Sequence, residues 1–186
     1  LRSGEALAYS GLALATGTRI RPLTVPGAAD ANIHYVRSLA DGERLAAALK
    51  NARRVAVIGG GFIGLEVAAI AREQGREVVL IEAFERLMAR AVAPQVSAFY
   101  AELHRGHGVE VLLGTGVDAI RTVAGEHTVV TSTGAEYTVD LIVAGIGVVP
   151  NSELAEAAGL ACRNGIVVDD CARTSDPLIV AAGDCT

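Results

Sequence analysis

The stretch Arg54-Val55-Ala56-Val57-Ile58-Gly59-Gly60-Gly61-Phe62-Ile63-Gly64-Leu65-Glu66 constrains this chain more than any other. Residues 55–58 are apolar and rich in β-branched side chains, the pattern of a strand buried on both faces of a parallel sheet. Gly59, Gly61 and Gly64 then spell G-x-G-x-x-G, and the run to Gly75 repeats apolar residues at helical spacing. In such a turn the first glycine permits the bend and the second lets a pyrophosphate approach the backbone. The third lets helix and strand pack closely. The helix start, at Phe62 and Ile63, adds free N–H groups and the positive end of a dipole.

Three glycines at this spacing are weak evidence alone, so the next strand has to supply the rest. Residues 77–82 form a second apolar run that ends in Glu82, 18 residues after Gly64. That is the place of the acid that hydrogen-bonds a ribose diol in dinucleotide sites. Strand, glycines, helix, strand and acid in this order predict a dinucleotide site on a Rossmann-like α/β fold. A carboxylate at position 82 repels a 2′-phosphate, and Ala83 supplies no cation to offset it, so the expected nucleotide is NADH. Arg86 is the residue near enough in sequence to disturb that expectation.

Further along, residues 94–107 read as a helix with Val96, Phe99, Tyr100 and Leu103 on an apolar face, the kind that ordinarily turns to a core. Residues 109–113 read as a third parallel strand. Residues 117–123, 127–132 and 136–139 read as a β-meander with Gly125 and Gly134 in its turns. Residues 140–147 form another buried strand that runs into Gly145-Ile146-Gly147. A short helix at 152–158 and strands at 166–169 and 178–184 complete the C-terminal part. Toward the N-terminus, residues 5–17 read as strand, bend, strand, and residues 19–26 as a loop. Residues 32–39 hold a short extended piece, and residues 41–50 form a helix capped by Asp41. The fold class is therefore α/β: a three-layer nucleotide-binding fold with a parallel sheet plus a β-meander, flanked by pieces of a second α/β domain.

Short apolar strands end in glycine near positions 17, 59, 145 and 183. Ligands of open α/β sheets bind beyond the carboxyl ends of the strands, and four such ends are more than one dinucleotide requires. They point to a second nucleotide. A net charge of −5 argues against nonspecific nucleic-acid binding, which needs Lys and Arg to neutralise phosphates. No apolar stretch is long enough to span a bilayer. Cys162, Cys171 and Cys185 have no metal-ligand spacing and fit a reducing cytoplasm. His34, His104, His107 and His127 are scattered, with His104 and His107 expected as a solvated pair on one helix.

Ala15-Thr16-Gly17, the 59–66 loop, Gly145-Ile146-Gly147 with Pro150, and residues 174–184 together resemble the FAD-dependent pyridine-nucleotide oxidoreductases. Residues 35–41, 97–100, 165–168 and 174–177 are similar to one branch, the NADH-dependent ferredoxin reductases of oxygenase systems. The resemblance covers essentially the whole chain. It implies an NAD-binding domain at 51–145, inserted in an FAD-binding domain to which residues 1–50 and 146–186 contribute. It places NADH on Gly59, Gly61, Phe62, Ile63, Gly64 and Glu82, with Glu66 in the first turn of the helix near the nicotinamide. It also implies that Arg90 closes over the adenine ribose, with a solvated surface arginine as the alternative, and that Gly145, Ile146 and Gly147 line the adenosine or nicotinamide side.

On the flavin side the resemblance implies Ala15, Thr16 and Gly17 against FAD, Arg37 at its pyrophosphate, and Gly183 with Asp184 at the ribityl chain. The implied reaction in the full-length protein is hydride transfer from NADH to FAD, then single electrons to a 2Fe-2S ferredoxin. No catalytic side chain and no metal is implied within residues 1–186. Two alternatives share the same NAD domain: a disulfide reductase, oxidase or peroxidase with a redox cysteine elsewhere, and a nucleotide-binding module inactive by itself. Because the chain starts at Leu1 and stops just after an apolar run, it is expected to be part of a longer protein. It is further expected to be colourless, to bind NADH weakly and not to turn over alone.

Overall fold

The computed structural model describes residues 3–186. In chain order the elements begin with β1 (Leu12–Leu14), β2 (Thr18–Ile20), β3 (Ile33–His34) and α1 (Leu39–Asn51). Next come β4 (Arg54–Ile58), α2 (Phe62–Glu73), β5 (Glu77–Ile81), α3 (Pro94–Gly106) and β6 (Val109–Leu112). Then follow β7 (Val117–Val123), β8 (Glu126–Thr131), β9 (Glu136–Val139), β10 (Leu141–Ala144), β11 (Val148–Pro150), α4 (Glu153–Ala157) and β12 (Ile179–Ala181). They divide into two compact units, a larger one of Pro22–Gly147 and a smaller one built from the described residues up to Arg21 together with Val148–Thr186.

The larger unit is organised by strands whose successive side chains alternate between two cores. Its parallel sheet has the order β3-β10-β4-β5-β6. Val55, Val57, Val78, Leu80, Leu141 and Val143 face a core shared with α1, α2 and α3. Ala56, Ile58, Val79, Ile81, Ile142 and Ala144 face a second core, closed by Ile120, Val129 and Val139 of the β7-β8-β9 meander. Side chains of a strand point to opposite faces with period two, so a strand covered on both faces must be apolar throughout. The uninterrupted apolar runs record that burial.

Residues 22–50 belong to this unit. β3 pairs with β10, and Leu45 and Leu49 of α1 enter the helix-side core. Ser38 caps α1; Asp41 is three residues in and completes a capping box by accepting from the Ser38 N–H at 2.7 Å.

Helix α3 turns the other way from its expected apolar face. Ser97, Ala101 and His104 face the sheet, while Val96, Phe99, Tyr100 and Leu103 point outward, Phe99 with 60% of its surface exposed. Small side chains let the helix lie close to the sheet. The Ser97 hydroxyl is satisfied there by donating to the Leu87 carbonyl at 2.6 Å. His104 is only 7% exposed, so it is a buried residue and not half of a solvated pair. Burial, then the neighbouring His107, holds its imidazole below the ordinary value.

In the smaller unit β1 and β12 pair in parallel, and β2 pairs antiparallel with β11. Residues 18–20 are therefore a strand and not part of a loop; Pro150 sits at the end of β11, where a missing N–H is tolerated. Only residues 12–14 of the expected 5–17 strand pair are strand, and residues 166–169 make only the isolated Cys162–Ile166 bridge.

Candidate functional site

The four glycine-terminated strands fall into two adjacent pairs. β4 and β10 are parallel neighbours, and they deliver Gly59 and Gly145 side by side. A Cβ on Gly59, whose φ is +103°, would stand 2.5 Å from the Gly145 carbonyl oxygen. A Cβ on Gly64 would stand 1.9 Å from the Gly59 carbonyl oxygen, so α2 reaches this position only without a side chain. Gly61 caps α2 without a side-chain bond, and a Cβ there would meet nothing of the protein within 4 Å. The glycine turn is thus tight against its own backbone on one side and open beside the helix start. An anionic group fits that open side, where N–H groups and the helix dipole converge.

A cleft of about 470 Å³ lies over this turn. It is lined by Gly59, Gly61 and Phe62, by Glu82 at the end of β5, by Gly145, Ile146 and Gly147 after β10, and by Phe84 and residues 88–91 of the following loop. Its volume is that of a small-molecule site. Glu82 is 8% exposed, and its carboxylate is fixed twice: Gly60 N–H donates to Oε2 at 2.6 Å and Phe84 N–H to Oε1 at 2.7 Å. A carboxylate offers about four lone-pair positions, so acceptor capacity remains toward the cleft. The guanidinium carbon of Arg90 stands 5.2 Å from the centroid of the Phe84 ring, a cation–π contact at the rim.

Arg86 takes no part in the lining. Its guanidinium turns inward and donates to the carbonyls of Val92 (2.8 Å) and Ala89 and to Ser97 Oγ (2.9 Å). Glu66 and Ile63 are exposed on α2 outside the lining. Because α2 begins at Phe62, Glu66 belongs to its second turn and not its first.

The second glycine pair lies in the smaller unit. β1 and β12 end side by side, which brings Ala15, Thr16 and Gly17 beside Gly183 and Asp184. Thr18 Oγ1 donates to Asp184 Oδ2 at 3.3 Å, and Thr16 exchanges two bonds with Asn151 (2.6 and 2.8 Å). Arg37 is exposed just ahead of α1, in the larger unit, apart in the chain from this group.

The family model of the pyridine nucleotide-disulphide oxidoreductases matches residues 2–186. The chain belongs to that family. Among its relatives, rhodocoxin reductase of Rhodococcus erythropolis is 46% identical over 186 residues, which are 100% of this chain and 44% of that protein. The ferredoxin–NAD(+) reductase component of the anthranilate 1,2-dioxygenase system of Burkholderia cepacia is 47% identical over 186 residues, again 100% of this chain, and 46% of that one. The crystal structure of the covalent putidaredoxin reductase–putidaredoxin complex superposes with a TM-score of 0.90 at 45% identity, covering 98% of this chain and 45% of that one. The chain thus spans less than half the length of these relatives.

Leu23, Met88, Thr115 and Gly116 line the cleft without having been legible in the sequence. Thr115 and Gly116 follow a strand far along the chain. Among the described residues no helix is long and apolar enough to cross a membrane, the three cysteines are free, and no group of three or more His, Cys, Asp or Glu could hold a metal.

Proposed function

We propose that the cleft of Pro22–Gly147 binds NADH. The single observation that carries this reading is Glu82, buried and fixed by two backbone N–H groups at the edge of the cleft. On this reading Glu82 accepts from the adenosine ribose hydroxyls, and the open side of Gly61 with the start of α2 receives the pyrophosphate. Arg90 and Phe84 border the adenosine end. Gly145, Ile146 and Gly147 form the opposite wall, and Glu66 is assigned to the nicotinamide end. Arg86 is committed to the loop interior and is not available to a 2′-phosphate beside the Glu82 carboxylate.

Ala15, Thr16, Gly17, Gly183 and Asp184 are assigned to FAD in the whole protein, with Arg37 toward its pyrophosphate. These residues fit such a group because two parallel strands end there together, the position at which open sheets receive ligands. When bound, the flavin supplies the acceptor for a hydride and the means of releasing electrons one at a time. This chain's residues contribute binding and orientation, and none is required as acid, base or nucleophile. The whole protein is accordingly assigned the NADH-dependent reduction of a 2Fe-2S ferredoxin, a reading supported by relatives named for ferredoxin and putidaredoxin. We place it in the cytoplasm, where free thiols such as its three cysteines persist.

Titration of the protein with NADH and with NADPH, followed by nucleotide fluorescence, tests the nucleotide assignment. Tighter binding of NADH is expected; equal or tighter binding of NADPH overturns it.

A further inference from the structure

Between β5 and α3 the chain has no helix or strand, yet four consecutive residues of this segment, 88–91, line the cleft beside Glu82. One side chain gathers it. Arg86 donates from one end of its guanidinium to Val92 O at 2.8 Å and Ser97 Oγ at 2.9 Å, and from the other to Ala89 O. The Ser97 hydroxyl, on a residue 2% exposed, in turn donates to Leu87 O at 2.6 Å. The carbonyls of Ala89 and Val92 are thus tied to one planar fork, and that of Leu87 is tied to it through Ser97, a geometry that suits Arg and not Lys.

Inside that clasp Met88 is buried with a φ of +48°, a left-handed conformation that a non-glycine residue keeps only where its surroundings hold it. The conformation aims the Met88 N–H at the Gly60 carbonyl, 2.9 Å away. Gly60 is also the residue whose N–H fixes Glu82. Arg86, Met88, Gly60 and Glu82 therefore form one connected path from the loop interior to the acid.

We propose that Arg86 is a positioning residue for the adenosine half of the dinucleotide. It contacts no ligand; it holds residues 88–91 as a wall and, through Met88 and Gly60, steadies the acid that the ribose meets. The proposal rests on the reading that this cleft takes NADH, and it concerns one half of that molecule only.

The test uses the 186-residue chain and three probes: NADH, ADP-ribose, which carries the adenosine half, and reduced nicotinamide mononucleotide, which lacks it. Arg86→Met is expected to weaken NADH and ADP-ribose about tenfold, ~1.4 kcal/mol, and to leave the mononucleotide unchanged. Arg86→Lys keeps the charge but not the fork, and is expected to weaken ADP-ribose about threefold, ~0.65 kcal/mol. A merely structural role would weaken all three probes together, and that result overturns the proposal. Unchanged ADP-ribose affinity in a folded Arg86→Met variant overturns it too; if that variant does not fold, unchanged affinity in Arg86→Lys does so. Failure of the unmodified chain to bind either NADH or ADP-ribose overturns the cleft reading itself.

Discussion

The backbone N–H of Gly60 lies 2.6 Å from Glu82 Oε2 and donates to it. A residue in the middle of the glycine turn thereby sets the acid at the end of the neighbouring strand before any ligand arrives. Pre-set acceptors cost less to engage than mobile ones, because their rotamer freedom is already spent in folding. The first consequence concerns nucleotide choice. Glu82→Ala removes a charged acceptor, and affinity for NADH is expected to fall about tenfold or more. Adding Ala83→Arg to Glu82→Ala is expected to make NADPH the tighter ligand, because a guanidinium then replaces a carboxylate next to the 2′ position. Paired titrations check both; an unchanged NADH to NADPH ratio in the double variant counts against Glu82 as the ribose acceptor.

The glycines of the turn are expected to separate folding from binding. A Cβ at Gly64 meets the Gly59 carbonyl oxygen at 1.9 Å, and backbone cannot move aside. Gly64→Ala is therefore expected to cost at least ~3 kcal/mol of stability, beyond ordinary overpacking. A Cβ at Gly60 meets Leu87 Cδ2 at 2.5 Å and Glu82 Oε2 at 3.1 Å, both at the ends of side chains. Gly60→Ala is expected to fold and to lose NADH affinity by displacing Glu82. Urea denaturation alongside titration distinguishes the two; a Gly60→Ala chain with full affinity contradicts the coupling of Gly60 to the acid.

The glycine turn, Glu82 and the three layers were legible because each depends on near neighbours: β4, α2 and β5 are consecutive, and alternation or its absence marks burial directly. The strands β2 and β11 were not, since each is three residues long and its partner lies more than a hundred residues away. A helical pattern shows that α3 has an apolar stripe, but not which way the stripe faces. Ser97 and Ala101 pack closely on the sheet beside His104, and the interior hydrogen bonds of Ser97 satisfy the polar face that turns inward. The site was legible at its backbone floor and at Arg90, but not along the rest of its loop wall, whose path depends on the bonds of Arg86 and not on local propensity.

The orientation of α3 yields a contrast between two substitutions two residues apart. Phe99 points outward, so Phe99→Glu is expected to change stability by no more than about 0.5 kcal/mol. Ala101 is buried against the sheet, so Ala101→Leu is expected to cost ~1–3 kcal/mol by overpacking. Chemical denaturation of the two variants reads this directly. The reverse order, with Phe99→Glu the more damaging, would restore the inward apolar face that the sequence pattern suggests.

His104 gives the larger unit a pH dependence whose sign follows from its burial. Burial and, secondarily, the charge of His107 hold the folded pKa of His104 below the unfolded value of about 6.5. Between the folded and unfolded values the unfolded chain binds a proton that the native chain does not, so stability falls as pH drops through that window and is level above it. Arg72 and Glu73 of α2 face His104 across the groove between α2 and α3, and His107 lies on its own side at the end of α3. The guanidinium of Arg72 is tied to the carbonyls of His107 (3.0 Å) and Arg76 (2.5 Å). His104→Gln removes the titration and keeps the polar volume. Its stability is expected to vary less between about pH 5.5 and 7.5, with a remaining slope from His34, which burial and Arg44 lower in the same direction. Denaturation midpoints of the parent and His104→Gln chains across that range provide the measurement, and parallel curves would remove His104 as the source.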